Sequence, residues 1–262
     1  MSKTTSHPAV IEMSAARIGA LRDTLLTVVE AVDWLVVPGE FWVVAGRQHS
    51  GKSDLLLHAG GLITPSSGSC RVFGCETKNF GEAQIAERLR IGFVFAGGNL
   101  FSQLTIAENV ALPLRYQRNG PLTEVARVVE ELLDLLELAP YADNTPSNLS
   151  ANWRQRAALA RALVLQPELL LLDNPLDGLD GRHRHWLLKF LEQLGSGHAY
   201  FGGRPMTLVV TTDDLRVWQH PQRKFAVLEE KKFFALGAWR EVVAARRPAV
   251  KELLAEPVAT TI

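Results

Sequence analysis

Gly46, Gly51, Lys52 and Ser53 stand at the spacing G-x-x-x-x-G-K-S within Gly46-Arg47-Gln48-His49-Ser50-Gly51-Lys52-Ser53, the pattern of a phosphate-binding loop. In such a loop, backbone N–H groups and the start of the following helix point into one concavity, where the helix dipole also favours an anion. Lys52 would place a cation on the outer phosphates, and the Ser53 hydroxyl would be a ligand for Mg²⁺. Average residue usage gives this pattern by chance in a chain of this length at a rate on the order of one per cent. A glycine-rich turn with a surface lysine is the weaker account.

The loop needs a strand before it and a helix after it. Phe41-Trp42-Val43-Val44-Ala45 reads as a buried strand, and Asp54-Leu55-Leu56-Leu57-His58-Ala59 reads as a helix start. Residues 10–13 and 32–37 read as short strands, and Pro38-Gly39-Glu40 as a turn. Residues 70–74, 91–95, 169–172 and 207–211 are further strand-like runs, the 169–172 run ending in Asp173. From about 100 to 165 the pattern is helical. Val125, Val128, Val129, Leu132, Leu133 and Leu136 share one face. Gly195 opens a loop with an exposed aromatic pair, Tyr200 and Phe201. Glu229-Glu230-Lys231-Lys232 reads as a hairpin turn, and residues 237–254 as two short helices.

Composition narrows the classes. The 262 residues are 47% hydrophobic, enough for a substantial core. Lys plus Arg and Asp plus Glu both number 28, so no global basic field argues for nucleic acid. No apolar run reaches the roughly 18 residues of a membrane span, and residues 1–8 lack a signal-peptide apolar region, which predicts a cytosolic chain. Cys70 and Cys75 have no second pair to complete a zinc site and read as reduced thiols. His183 and His185 read as a solvated helix start.

The order of motifs resembles the ATP-binding subunit of ABC transporters over most of the chain. The resemblance is carried by the phosphate loop, Ile91-Gly92-Phe93-Val94-Phe95, Leu104-Thr105-Ile106-Ala107-Glu108-Asn109-Val110, Leu149-Ser150, Arg156-Ala157-Ala158-Leu159-Ala160-Arg161-Ala162-Leu163, 167–173 and Gly178-Leu179-Asp180. It implies the α/β P-loop NTPase fold of ABC ATPases: a mixed, largely parallel core sheet with helices, an antiparallel β subdomain and an α-helical subdomain. It implies one ATP-binding domain over 1–262, with the helical subdomain at about 97–166 and C-terminal helices at about 237–255. Asn99-Leu100-Phe101 ahead of residues 108–115, the Arg-Ala-Ala-Leu-Ala-Arg helix and the C-terminal helices are similar to the ATPases of MCE or Mla-type lipid transporters, and several of these cues are shared with lipoprotein-releasing and cell-division ABC ATPases.

The same comparison exposes departures. Asn174 stands where the family has its general-base glutamate, and an amide has no basic lone pair for the water's proton; losing a general base costs about 10²–10⁴-fold in rate. Thr212 replaces the histidine expected at the γ-phosphate, and Ala96 the glutamine that links Mg²⁺ and water to the transmembrane partner. The signature loop Leu-Ser-Gly-Gly-Gln is here Leu149-Ser150-Ala151-Asn152-Trp153; Ala151 and Asn152 narrow the approach that glycines allow, and Trp153 adds bulk. Residues 1–33 contain no Phe, Tyr or Trp, so the ring that usually stacks on adenine is missing. His49 stands where a third glycine is common, and Asp54 where a threonine meets the α-phosphate.

Together these imply an ABC ATPase subunit with no catalytic residue intact. Residues 46–54 would hold ATP weakly or without turnover, with Mg²⁺ on Ser53 and Asp173, and Leu149, Ser150, Ala151, Asn152, Trp153 and Asp180 would face a second ATPase subunit, identical or not. The implied partners are that subunit, a transmembrane permease and an MCE-domain protein, with no nucleic acid; the place is the cytoplasmic side of the membrane. Three alternatives stay open: an active ATPase using Asp177 or Asp213 as base, a nucleotide-free scaffold in which Lys52 pairs with Asp173, and a soluble ABC protein acting on ribosomes or DNA, which the single cassette disfavours.

Overall fold

The computed structural model describes residues 9–81, 84–117 and 122–255, in two compact units, 1–79 with 209–262 and 80–208. No helix among the described residues is long and apolar enough to cross a membrane.

The first unit is built on a sheet. Strands β1 (Ile11–Ala20) and β2 (Asp23–Val36) form a long antiparallel hairpin, with β4 (Ser67–Val72) on the other side of β1 and the short β5 (Cys75–Glu76) beyond it. Sequence reading captured only the ends of this hairpin. Its alternation is broken by register shifts around Ala15 and Ala31, which adopt φ of 45° and 44°, and Asp33 accepts the Ala15 N–H at 2.8 Å. Bulges of this kind interrupt the period of two on which strand recognition depends.

Strand β3 (Phe41–Gly46) is buried along its whole length and pairs in parallel with β9 (Arg223–Glu229). Its neighbour on the other side is β8 (Thr207–Thr212). Such a strand has no solvent face, so its run is continuously apolar rather than alternating. Helix α1 (Lys52–Ala59) packs on it, as does the C-terminal α8 (Pro248–Leu254). Strand β10 (Lys232–Gly237) returns antiparallel to β9 through Glu230 and Lys231, whose φ values of 49° and 60° put both central residues in the left-handed region of a tight hairpin turn. Helix α7 (Trp239–Ala244) follows. Beneath α1 the Cys70 Sγ donates to the His58 carbonyl at 3.4 Å, and burial pushes its thiol up to about 12, which makes it inert.

In the second unit β6 (Ile91–Val94) and β7 (Leu169–Leu172) pair in parallel, with the short α2 (Ile85–Leu89) before them. Gly92 permits close approach to the last turn of α5 (Ala151–Leu163): a Cβ there would lie 2.7 Å from the Ala162 carbonyl oxygen. Helix α3 (Ile106–Gln117) packs on α5 and on α4 (Leu122–Leu135). On α4, Val125, Val129, Leu132 and Leu133 are buried, as is Leu136 just beyond its end; Val128 is half-buried.

The residues 104–110 prove to be folding devices. Thr105 Oγ1 accepts the Glu108 N–H at 3.1 Å and Glu108 Oε2 accepts the Thr105 N–H at 2.8 Å, a reciprocal cap on α3. Asn109, fully buried, accepts the Phe101 N–H and donates to the carbonyls of Phe101, Leu104 and Thr105, tying the preceding loop to the helix. After α6 (Gly181–Ser196), Tyr200 and Phe201 are half-buried rather than exposed: Phe201 packs on Tyr200 and on His198, which itself rests on Phe190.

Candidate nucleotide site

The phosphate loop belongs to the first unit. It leaves β3 at Gly46 and enters α1 through Gly51, whose φ is 90° and where a Cβ would lie 3.0 Å from Val29. Both conditions demand glycine. Lys52 is 6% exposed, and its Nζ donates to the carbonyls of Gly46 at 2.7 Å and Arg47 at 2.8 Å, which fixes the ammonium against its own loop. The first helical hydrogen bond is Leu55 N–H to Gly51. N–H groups of the first turn therefore have no intrahelical acceptor and, with the dipole, suit an anion. Arg47, Gln48, His49 and Ser53 are exposed. This chemistry fits the polyphosphate of a nucleotide.

Two positions at which the sequence departs from the expected family pattern, Asp54 and Thr212, have defined occupations. Asp54 Oδ1 accepts the N–H of Leu21, at the turn of the β1–β2 hairpin, at 2.8 Å, while its carbonyl binds Nδ1 of His58. Its carboxylate is thereby held on the turn of the hairpin. Thr212 is buried at the end of β8; its hydroxyl donates to the Asp214 carbonyl at 2.9 Å and accepts the Asp214 N–H at 3.1 Å, closing a turn. Asp214 in turn grips Arg216 with both oxygens. His49 adopts φ of 60° without being glycine.

The second unit carries the other predicted residues. Asp173, 6% exposed, donates its N–H to the Val94 carbonyl at 2.9 Å, so Asp173 and Asn174 leave β7 beside the point where Ala96 follows β6. Asn174 has φ of 42°, a conformation that asparagine tolerates better than most residues. Asp177 and, in the first unit, Asp213 are exposed. Arg161 donates to the carbonyls of Gly98 and Asn99, anchoring the loop after Ala96 to α5.

At the signature loop Leu149 is buried, and Ser150 precedes α5 without capping it through its side chain. Asn152 does not simply narrow the space. Its Nδ2 donates to Asp180 Oδ2 at 2.7 Å and its Oδ1 accepts the Asp180 N–H at 3.1 Å, joining the starts of α5 and α6. Asp180 caps α6 by accepting the His183 N–H at 2.9 Å, and this bond and the His183 ring hold its carboxyl below the usual carboxylate range.

His183, expected in a solvated helix start, is mostly covered: its ring stands edge-on to Trp153 at 5.0 Å and close to both Asp180 oxygens. Trp153 also packs on Tyr141. Arg156, 4% exposed, lies 4.8 Å from the Trp153 ring centre and 3.6 Å from that of Trp186, with Glu137 at 2.7 Å. The space among these groups is about 10 Å³, too small for a ligand. Sequence reasoning missed Arg156 and the Asn152 clamp. The Asp180–His183 cap had a signal, an aspartate three residues before a partner at a helix start.

Ser53 and Asp173, the residues expected to hold Mg²⁺, belong to different units, and the described residues include no group of three His, Cys, Asp or Glu that could hold a metal by themselves.

A buried parallel strand running through a glycine loop into a helix, with the loop lysine held on loop carbonyls, defines a phosphate-loop nucleotide-binding α/β protein. The chain belongs to the ABC transporter family, whose pattern matches residues 29–177, more than half of its length. It is 32% identical over 254 residues to the methionine import ATP-binding protein MetN 2 of Paraburkholderia xenovorans (strain LB400), covering 96% of this chain and 64% of that protein. It is 42% identical over 168 residues to the sulfate/thiosulfate import ATP-binding protein CysA of Bradyrhizobium diazoefficiens, covering 63% of this chain and 48% of that one. The chain thus spans about half to two thirds of the length of these relatives. A dimeric post-hydrolysis structure of the ATP-binding cassette MJ0796, bound to ADP and Pi, superposes with a TM-score of 0.75 at 27% identity, covering 87% of this chain and 100% of that one. The fold is that of an ABC ATPase.

Proposed function

We propose that this chain is the ATP-binding subunit of an ABC transporter in which Mg-ATP is held at Lys52, Ser53 and Asp173 with little or no turnover. The observation that carries this is a phosphate loop of sound geometry in a chain that has an amide, Asn174, where the family resemblance expects the general base, and a Thr212 hydroxyl that is consumed by its own turn. Loss of the base alone would slow hydrolysis by about 10²–10⁴-fold. The subunit works from the cytoplasmic face, pairs with a second ATPase subunit through residues 149–153 and Asp180, and meets a permease through residues 96–115.

For the cargo, the names of the relatives favour import of a small solute such as methionine, sulfate or thiosulfate. The lipid and MCE expectation rests on residues 99–115, the Arg-Ala-Ala-Leu-Ala-Arg helix and the C-terminal helices; among the first of these, Glu108 and Asn109 have a folding role that any cargo would require. Two measurements test the reading. A fluorescent ATP analogue should bind in the presence of Mg²⁺ and lose affinity on Lys52→Ala. Phosphate release by the purified chain should stay at least 10²-fold below that of a family member with an intact general base. Full turnover abolished by Lys52→Ala would establish an active enzyme instead, and absence of binding would establish a scaffold.

A further inference from the structure

Helix α8 reaches both loops at the ends of β3 and β8. Glu252 forms an ion pair with Arg47, the second residue of the phosphate loop, from 205 positions away in the chain. The next residue, Leu253, accepts through its carbonyl the N–H of Leu215 at 3.0 Å, three positions beyond Thr212. The helix is well seated: Ala249, Val250 and Leu253 are buried, and α8 packs on β9 and β3. Glu229, at the end of β9, accepts the Ala249 N–H at 2.9 Å and holds Arg247 at 3.2 Å, whose guanidinium lies 3.4 Å from the centre of the Phe234 ring. A cavity of about 340 Å³ opens between the phosphate loop, the β9–β10 turn and the start of α8, lined among others by Arg47, His49, Ser50 and Lys231.

The electrostatics of this arrangement have a sign. A carboxylate held on Arg47 lowers the positive potential of the loop and occupies a cation that an incoming anion would otherwise find unpaired. We propose that α8 is an autoinhibitory strap: when it is seated, Glu252 weakens the hold of the phosphate loop on nucleotide, and nucleotide in turn loosens α8. This rests on the reading of the loop as a nucleotide site. Linkage makes the two effects reciprocal. The ion pair is exposed, with side-chain exposures of 61% and 52%, so the effect on affinity is modest, about two- to fivefold.

The test titrates a fluorescent ATP analogue with Mg²⁺ into the full chain, into Glu252→Gln and into Glu230→Gln, which removes a charge from the same cavity without touching Arg47. Amide exchange of residues 248–254 is followed in the wild type with and without nucleotide. The strap predicts two- to fivefold tighter binding for Glu252→Gln, wild-type affinity for Glu230→Gln, and faster exchange in α8 once nucleotide is bound. Equal affinity of Glu252→Gln and wild type, an equal gain for Glu230→Gln, or exchange unaffected by nucleotide overturns the strap and leaves nucleotide binding standing. No binding by any of the three proteins overturns both.

Discussion

His49 and Gly51 show how differently two residues of one loop carry backbone constraint. Both have positive φ, 60° and 90°, but at Gly51 an added Cβ would also press on Val28 and Val29, its nearest atom 3.0 Å away. A left-handed non-glycine residue costs about 1 kcal/mol. His49→Gly should therefore raise stability by roughly 1 kcal/mol, less what glycine adds to the entropy of the unfolded chain. Gly51→Ala should lower it by more than about 1 kcal/mol, and should also abolish binding of the ATP analogue; urea midpoints and the titration check both. The loop pattern was legible in the sequence because its chemistry depends on residue types at fixed spacing. The occupations of Asp54 and Thr212 were not, since their partners, the N–H of Leu21 and the backbone of Asp214, are groups that every residue carries.

Elements were legible where one physical period ran uninterrupted. The apolar face of α4 and the four leucines of β7 belong to this class, and so does the turn at Glu230 and Lys231. The β1–β2 hairpin was not, because bulges reset its alternation. The junction of α5 with α6 was illegible for another reason: Asn152 and Asp180 are 28 residues apart, and nothing local marks them as a pair. Arg156 is the centre of that junction, packed by two tryptophans and bonded to Glu137 and to the Leu136 carbonyl. Arg156→Met should destabilise the protein by roughly 2–3 kcal/mol, through lost cation–π contact and hydrogen bonds rather than lost volume. Arg156→Lys should recover little of this, because a point charge cannot reproduce a planar donor between rings. Denaturant titration of the three proteins would show it.

For the whole molecule, the response to acid should be set in part by His58. Its side chain is fully buried in α1, with Nδ1 on the Asp54 carbonyl, and burial lowers its pKa from the ordinary 6.5. Below about 6.5 the unfolded chain takes up a proton that the folded chain resists, so stability falls as pH drops through 6.5 and the loss stops at the lower folded pKa. Urea midpoints should decline between pH 7.5 and pH 5.5, and His58→Gln should show a shallower decline. An equal slope in both proteins would assign the acid response elsewhere.

Trp153 gives the molecule an optical property of its own. Its indole is half-buried at the signature loop, beside the Arg156 guanidinium and the edge of His183. Trp34, Trp42 and Trp218 lie buried in the other unit and supply a steady background. Anything that docks on residues 149–153 must change the surroundings of this one ring. The fluorescence removed by Trp153→Phe is then a label-free signal for anything that docks there, carried by a ring already built into the loop it reports on.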